Sequence, residues 1–94
     1  MLNSTKRKEL QSQAHHLKAQ LQVGKEGVTS SFRDELVKTA KKKGLVKVRL
    51  LQSHTEEHDR HSSAQQLVIG TGLELISMVG NTVVVWWPGS SDKQ

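Results

Sequence analysis

Near the start of the chain, two glycines three residues apart form a turn. The segment before it alternates apolar and polar side chains, and the segment after it is amphipathic. The turn that contains them is Gly24-Lys25-Glu26-Gly27. Residues 19–23, before the turn, alternate apolar and polar side chains, as a half-buried strand does. Residues 29–43, after the turn, carry apolar side chains at helical spacing. The order of strand, turn and helix therefore predicts a β-α unit of an α/β fold.

The chemistry of this turn suits a phosphate group. Glycine tolerates positive φ and, because it has no Cβ, allows another backbone to approach closely. The helix that follows offers unpaired N–H groups and the positive end of its dipole. Lys25 adds a mobile cation at the tip, which Glu26 partly offsets. The alternative is that the turn only connects a strand tightly to a helix.

The other periodic segments complete the order α-β-α-β-α-β-β. Helices are predicted over residues 5–17, 30–43 and 56–69, and strands over residues 19–23, 45–51, 73–79 and 82–87. Gly80-Asn81 is a two-residue hairpin signal between the last two strands. Two β-α-β units imply right-handed crossovers and parallel pairing, and the hairpin adds one antiparallel strand. We expect an α/β fold class, with a single compact domain over residues 1–88 and a polar tail over residues 89–94. The domain should contain a four-stranded mixed sheet, and the sequence does not determine which strands are neighbours in it.

Composition limits the kind of partner that this domain can have. The chain of 94 residues is 34% hydrophobic, and its 14 Lys and Arg against 9 Asp and Glu give a net charge of +5. Such a balance favours a polyanionic partner. The absence of cysteine excludes disulfides and thiolate metal sites. There is no apolar run of membrane-spanning length and no signal-peptide pattern, so we expect a cytoplasmic protein without a membrane partner.

The cations and tryptophans occupy informative positions in the predicted elements. Lys47 and Arg49 alternate with buried-type valines, so both are expected on one exposed face of the sheet. The lysines at positions 41–43 close the second helix, where the helix dipole already favours cations. Trp86 and Trp87 are expected on opposite faces of the last strand. One would pack in the core, and the other would stack on a base or pack against the first helix or the tail.

Several short motifs, in order, resemble those of the YhbY-like proteins. These proteins are the stand-alone bacterial form of the CRM domain (chloroplast RNA splicing and ribosome maturation). The matching segments, which span residues 5–88, are TKRK (5–8), AHHLK (14–18), VGKEGVT (23–29), LVKVR (45–49), TG (71–72), VGNTVVV (79–85) and Pro88. Two positions depart from the family pattern: Ala19 stands where proline is usual, and Trp87 stands where a basic residue is common. The second departure weakens any RNA contact at that position.

The resemblance implies a fold similar to the C-terminal domain of translation initiation factor 3, and RNA binding through the glycine turn and the adjacent basic surface. We expect the protein to be a monomer. The resemblance also implies a ribosomal RNA partner, in particular a precursor of the large ribosomal subunit, because bacterial members are associated with such precursors. In plant organelles the family serves intron splicing. The predicted RNA-binding residues are Gly24, Lys25, Glu26, Gly27, Thr29, Lys18, Arg33, Lys47 and Arg49.

Other functions are open on the residues alone. A ribosome-associated protein-interaction module would use the glycine turn only structurally, and a splicing or RNA-chaperone factor would bind other structured RNA. We expect no enzyme and no cofactor, since the turn is too short for a P-loop and no His-Asp pair is placed to activate Ser30 or Ser31. His54, His58 and His61 are spaced to share one helix face. Three ligands on successive turns rarely reach one ion, so no metal site is expected.

Overall fold

The computed structural model describes residues 4–52 and 59–88, which form three helices and four strands. The helices are α1 (Ser4–His15), α2 (Ser30–Lys43) and α3 (Arg60–Val68). The strands are β1 (Leu21–Val23), β2 (Leu45–Leu50), β3 (Glu74–Val79) and β4 (Thr82–Trp86). The predicted α/β class, element order and four-stranded mixed sheet are confirmed. The predicted tail over residues 89–94 and the predicted helical residues 56–58 lie outside the described residues.

The sheet has the strand order β1-β2-β4-β3. Strands β1 and β2 pair in parallel, and β4 pairs antiparallel to both of its neighbours. Strands β2 and β3 of the second β-α-β unit therefore run parallel, as expected, but the expected direct pairing between them is wrong, because β4 lies between them. Val83, Val84 and Val85 explain this placement: all three are at most 4% exposed, as suits an inner strand that is covered on both faces.

Alternation along the strands divides the apolar side chains between two cores. Helices α2 and α3 cover one face, where Leu36, Val48 and Leu67 are fully buried. Helix α1 covers the other face, where Leu10 and Ala14 pack against side chains of β2, β3 and β4. The apolar side chains that α2 carries at helical spacing thus face the core, as predicted. The protein is a three-layer sandwich whose α1 layer is a single helix.

The ends of α2 agree with the sequence, and those of α1 and β1 do not. Thr29 caps α2 by accepting a hydrogen bond at Oγ1 from the Phe32 amide at 3.1 Å. Gly44, at a φ of 84°, ends the same helix. Helix α1 ends at His15, two residues before the predicted end, and β1 starts at Leu21 instead of residue 19.

Asp59 caps α3 and gives the first testable prediction. Its carboxylate accepts a hydrogen bond from the Ser62 amide at 2.9 Å, and this bond holds the pKa of Asp59 below its ordinary value. The nearby His61 acts in the same direction. A carboxyl with a lowered folded-state pKa stabilises the fold above its ordinary pKa, and that stabilisation is lost as pH falls through the folded-state pKa. Acidification should therefore remove it.

The measurement is urea unfolding of the wild type and of Asp59→Asn from about pH 6 to about pH 3. Asparagine is also a good N-cap but does not titrate, so it is the matched control for the charge. We expect the wild type to lose stability relative to Asp59→Asn as the pH falls. A constant difference between the two proteins over this range would show that the Asp59 charge does not stabilise α3.

Candidate functional site

The glycine turn between β1 and α2 is closed by its own backbone. The Gly27 amide donates to the Gly24 carbonyl at 3.0 Å. Gly27 is buried and has a φ of 81°, a conformation that side chains with a Cβ rarely adopt. Gly24 has no positive φ, so only one of the two glycines uses its conformational freedom. Lys25 and Glu26, at the tip, are both exposed.

The N-terminus of α2 opens beside this turn. Thr29 satisfies the Phe32 amide, and Arg33 donates its amide to the Thr29 carbonyl at 3.0 Å. Within the described part of the chain, the amides of Ser30 and Ser31 donate to no protein acceptor. A hollow of about 250 Å³ lies here, and it is lined by Gln22, Val23, Thr29, Phe32 and the four turn residues. Its donors are backbone N–H groups at the positive end of a helix dipole.

A groove runs across the α1-covered face of the sheet, beyond the point where α1 ends. We call it the open groove, and it encloses about 650 Å³. It is lined by Lys18 and Arg49, which are both exposed, and by Asn81 and Thr82 of the β3–β4 hairpin. In the β1–β2 register Arg49 is directly opposite Gln22, which also lines the hollow at the glycine turn. The open groove and the hollow are therefore neighbours at one end of the sheet.

Lys18, Lys25 and Arg49 share a property that the other two cations of the predicted RNA-binding set, Arg33 and Lys47, lack. Each is exposed, and none makes a hydrogen bond or an ion pair with the residues that the structure describes. Three cations without protein partners thus lie along the turn and the open groove. Exposed cations of this kind are available to a polyanion at little cost, because no existing contact has to break.

Lys47 corrects the expectation that its side chain lies on an exposed face with Arg49. It is half-buried, and its Nζ donates to the carbonyls of Ala14 and Leu17, each at 3.1 Å. The Ala14 carbonyl, in the last turn of α1, also accepts from the Leu17 amide at 3.1 Å, and the Leu17 carbonyl lies just after the helix. Lys47 therefore fastens α1 to the sheet, and only Arg49 of the pair keeps the expected exposure.

Arg33 is also engaged inside the protein. Its Nη2 donates to the Ile69 carbonyl just after α3, and its buried Nε has no hydrogen-bond partner among the described residues. The side chain thus links α2 to the end of α3. Of the nine predicted site residues, Arg33 and Lys47 use their charged groups to link elements of the fold, although Lys47 also lines the open groove. The other seven lie at the turn or the open groove: Gly24, Lys25, Glu26, Gly27, Thr29, Lys18 and Arg49.

The lysines of the last turn of α2 lie far from the glycine turn. They are exposed, and a helix of 14 residues separates the two ends by about 20 Å. Trp86 and Trp87 are at this far end, on opposite faces as predicted: Trp86 packs in the α1 core and Trp87 beside the α2 core. Both are half-buried, and the ammonium groups of Lys6 and Lys41 lie 5.6 Å and 5.2 Å from their ring centres. Neither ring faces the open groove.

The histidines take no part in a metal site within the described residues. His15 and His16 are both exposed. Residues 4–52 and 59–88 contain no group of three metal-ligating side chains that could hold an ion. His54 and His58 lie outside the described residues, so their position on one helix face with His61 stays a prediction.

Among the described helices, none has both the length and the apolar character to cross a membrane.

Sequence reasoning missed the residues that come to the groove from elsewhere in the chain. Gln22 on β1, with Asn81 and Thr82 at the hairpin, lines the surface although none was predicted to do so. Arg60 supports the hairpin by donating to the Gly80 carbonyl at 3.1 Å. The Gly80-Asn81 turn was visible in the sequence, but its position beside Arg49 depends on β4 being paired with β2.

The fold and the position of its free cations place the chain among small basic α/β domains. More specifically, it belongs to the CRS1/YhbY (CRM) domain family, whose model matches residues 2–86. The probable RNA-binding protein YqeI of Bacillus subtilis is 34% identical over 94 residues, which cover 100% of this chain and 96% of that protein. A probable RNA-binding protein of Methanocaldococcus jannaschii is 30% identical over 79 residues, and the match spans 84% of this chain and 58% of the relative.

A solved structure has the same fold. The solution structure of the hypothetical protein SAV1595 from Staphylococcus aureus, described as a candidate RNA-binding protein, superposes with a TM-score of 0.75. The two chains are 28% identical, and the match covers 92% of this chain and 88% of the other. The predicted family and fold class are therefore confirmed.

Proposed function

We propose that this protein is a non-enzymatic RNA-binding protein that holds the phosphate backbone of structured RNA. The observation that carries the proposal is the alignment of Lys18, Lys25 and Arg49, which lack protein partners and lie along the glycine turn and the open groove. The relatives with RNA-binding names support RNA as the polyanion.

The mechanism follows from the chemistry of the two neighbouring surfaces. At the turn, the free amides of Ser30 and Ser31 donate to one phosphate, and Lys25 adds charge. In the open groove, Arg49 offers a planar fork of donors that matches a phosphate, and Lys18 acts as a flexible point charge. Contacts of this type position an RNA without identifying its bases. Glu26 weakens the charge at the tip, so the backbone amides contribute more there.

The RNA that we propose is ribosomal, in a precursor of the large subunit, and the protein binds it as a monomer. The support for the ribosomal assignment is the sequence resemblance to YhbY-like proteins, which extends over residues 5–88. A large-subunit RNA fragment should therefore bind more tightly than an unrelated hairpin of equal length at the same salt concentration. Equal binding would leave the phosphate grip in place and remove the ribosomal assignment.

The test of RNA binding compares two variants with the same change in charge. Lys18→Gln/Lys25→Gln/Arg49→Gln removes the free cations of the site, and Lys41→Gln/Lys42→Gln/Lys43→Gln removes those at the far end of α2. Fluorescence anisotropy with a structured RNA is measured at several salt concentrations. We expect the site variant to lose at least about tenfold in affinity and about two units of salt slope, because log K falls with log salt by about 0.7–0.9 per phosphate neutralised. The far-end variant should lose much less.

Two other outcomes would each contradict the proposal. Equal losses in the two variants would mean that net charge alone attracts RNA and that the turn and groove are not a site. No salt-dependent binding by the wild type would favour a protein-interaction role for this surface. Circular dichroism and urea unfolding of both variants provide the check on folding.

A further inference from the structure

The open groove continues into a second cleft that the phosphate grip does not use. This cleft, of about 410 Å³, lies between the end of α1 and the β3–β4 hairpin, and we call it the hairpin cleft. Thr82 and Lys47 line both the hairpin cleft and the open groove, so the two are adjacent. An RNA strand whose phosphates lie on Lys18 and Arg49 would therefore pass the mouth of the hairpin cleft.

The cleft exists because α1 stops before it crosses the whole sheet. Ala14 is in the last turn of α1, and Lys47 holds the end of that helix in place through the Ala14 and Leu17 carbonyls. On β3, a register shift between Leu75 and Ser77 turns Ser77 toward the same face as Val84. Beyond these residues the sheet surface is not covered by α1.

The lining combines an apolar floor with a polar rim. Ala14, Val84 and Val79 supply apolar surface, and Val79 is 70% exposed. Gln11, Ser77 and Thr82 place an amide and two hydroxyls around it. Ligand sites commonly have this combination, with volumes of about 300–1,000 Å³. None of the described residues that line the cleft is acidic, so nothing there repels an anion.

We propose that the hairpin cleft accepts an unpaired nucleobase of the RNA that the protein binds. This inference rests on the proposed RNA-binding function and adds the class of RNA: a strand with at least one base outside a duplex. A paired base keeps its apolar faces stacked and its edge occupied, whereas a bulged or loop base can enter a cleft and form hydrogen bonds there.

The lining also determines how such a base would be held. No Phe, Tyr or Trp ring lines the cleft, and the one ring among its described lining residues is the exposed imidazole of His15. The base therefore packs against valine and alanine and can stack only on that imidazole. Hydroxyl groups donate and accept equally well, and an amide does both. The cleft therefore distinguishes an unpaired base from a paired one, and it distinguishes weakly among the four bases.

The experiment uses two RNA hairpins that are identical except for one bulged nucleotide, and two protein variants. Val79→Asp places a carboxylate in the cleft. Ile69→Asp introduces the same charge at the other large exposed apolar side chain among the described residues, which is 60% exposed and outside the cleft. The quantity compared is the ratio of the two RNA affinities in each protein, because general repulsion of RNA cancels in that ratio. In parallel, 4-thiouridine at the bulge is cross-linked by light, and the attached peptide is mapped.

We expect the wild type and Ile69→Asp to prefer the bulged hairpin by about tenfold, the effect of one or two net hydrogen bonds with apolar contact. Val79→Asp should bring the ratio close to one, and the cross-link should map to residues 77–82. If Val79→Asp does not fold, Thr82→Val removes a rim hydroxyl with little change of shape and should lower the ratio. Salt-dependent binding of both hairpins with equal affinity would overturn this inference alone. Failure to bind either hairpin would overturn the proposed function and this inference with it.

Discussion

Replacing Lys47 by methionine should destabilise the fold by about 2–3 kcal/mol, because it removes two charge-assisted hydrogen bonds from a half-buried position. Methionine keeps most of the aliphatic stem, so the loss reflects the ammonium group more than packing. The carbonyls of Ala14 and Leu17 lose these donors, and the positive charge at the C-terminal end of α1 disappears. Urea unfolding followed by circular dichroism measures the change in free energy.

Arg49→Met is the matched control, since Arg49 is two residues further along the same strand and on the same face. It is exposed and has no hydrogen-bond or ion-pair partner among the described residues, so its loss should change stability by no more than about 0.5 kcal/mol. Its RNA affinity should fall, because Arg49 is one of the three cations of the proposed site. The two variants should therefore separate fold from function across a single pair of residues.

The opposite pattern would contradict the assigned roles of these two residues. If Lys47→Met keeps wild-type stability and loses RNA affinity, Lys47 contacts RNA, as the sequence had indicated. If Arg49→Met destabilises the fold as strongly as Lys47→Met, the exposed position of Arg49 is wrong.

The contrast between Lys47 and Arg49 shows that strand alternation predicts the face on which a side chain lies but not whether that part of the face is covered. Alternation correctly places both side chains on the face of the sheet that Val46 and Val48 do not occupy, since successive side chains of a strand point to opposite faces. Which part of that face is covered depends on where α1 lies. Arg7 helps to set this position by donating to the Leu75 and Ile76 carbonyls at 2.7 Å and 2.8 Å, next to the irregular register of β3. Contacts between residues nearly 70 positions apart leave no periodic pattern in the sequence.

The candidate site divides in a similar way. The glycine turn and the Thr29 cap are local, because each is decided by a few neighbouring residues. The turn was predicted, and the cap is one of three that the polar residues 29–31 offered. The open groove is not local. It depends on β4 lying between β2 and β3, which brings Asn81 and Thr82 beside Arg49. The hairpin was evident in the sequence, but which strand it would pair with was not.

Leu36→Ala should have the largest effect on stability of the substitutions considered, about 2–5 kcal/mol. Leu36 is 0% exposed at the centre of α2 and belongs to the core between that helix and the sheet. Shortening it leaves a cavity that the fully buried neighbours Val46, Val48 and Leu67 have little freedom to fill. A small domain is stable by only about 5–15 kcal/mol, so this loss is a large share of the total. Urea unfolding should show a lower midpoint with an unchanged slope.

Lys38→Ala is the control on the same helix, because Lys38 is exposed and alanine favours helices. We expect no loss of stability from it. No loss from Leu36→Ala would mean that packing of Leu36 against the sheet does not stabilise α2, since alanine favours helices at both positions. Under conditions where Leu36→Ala remains folded, its RNA affinity should equal that of the wild type. The reason is that the glycine turn is closed by its own hydrogen bond and the start of α2 is capped by Thr29, so the proposed binding surface does not depend on the volume of the core.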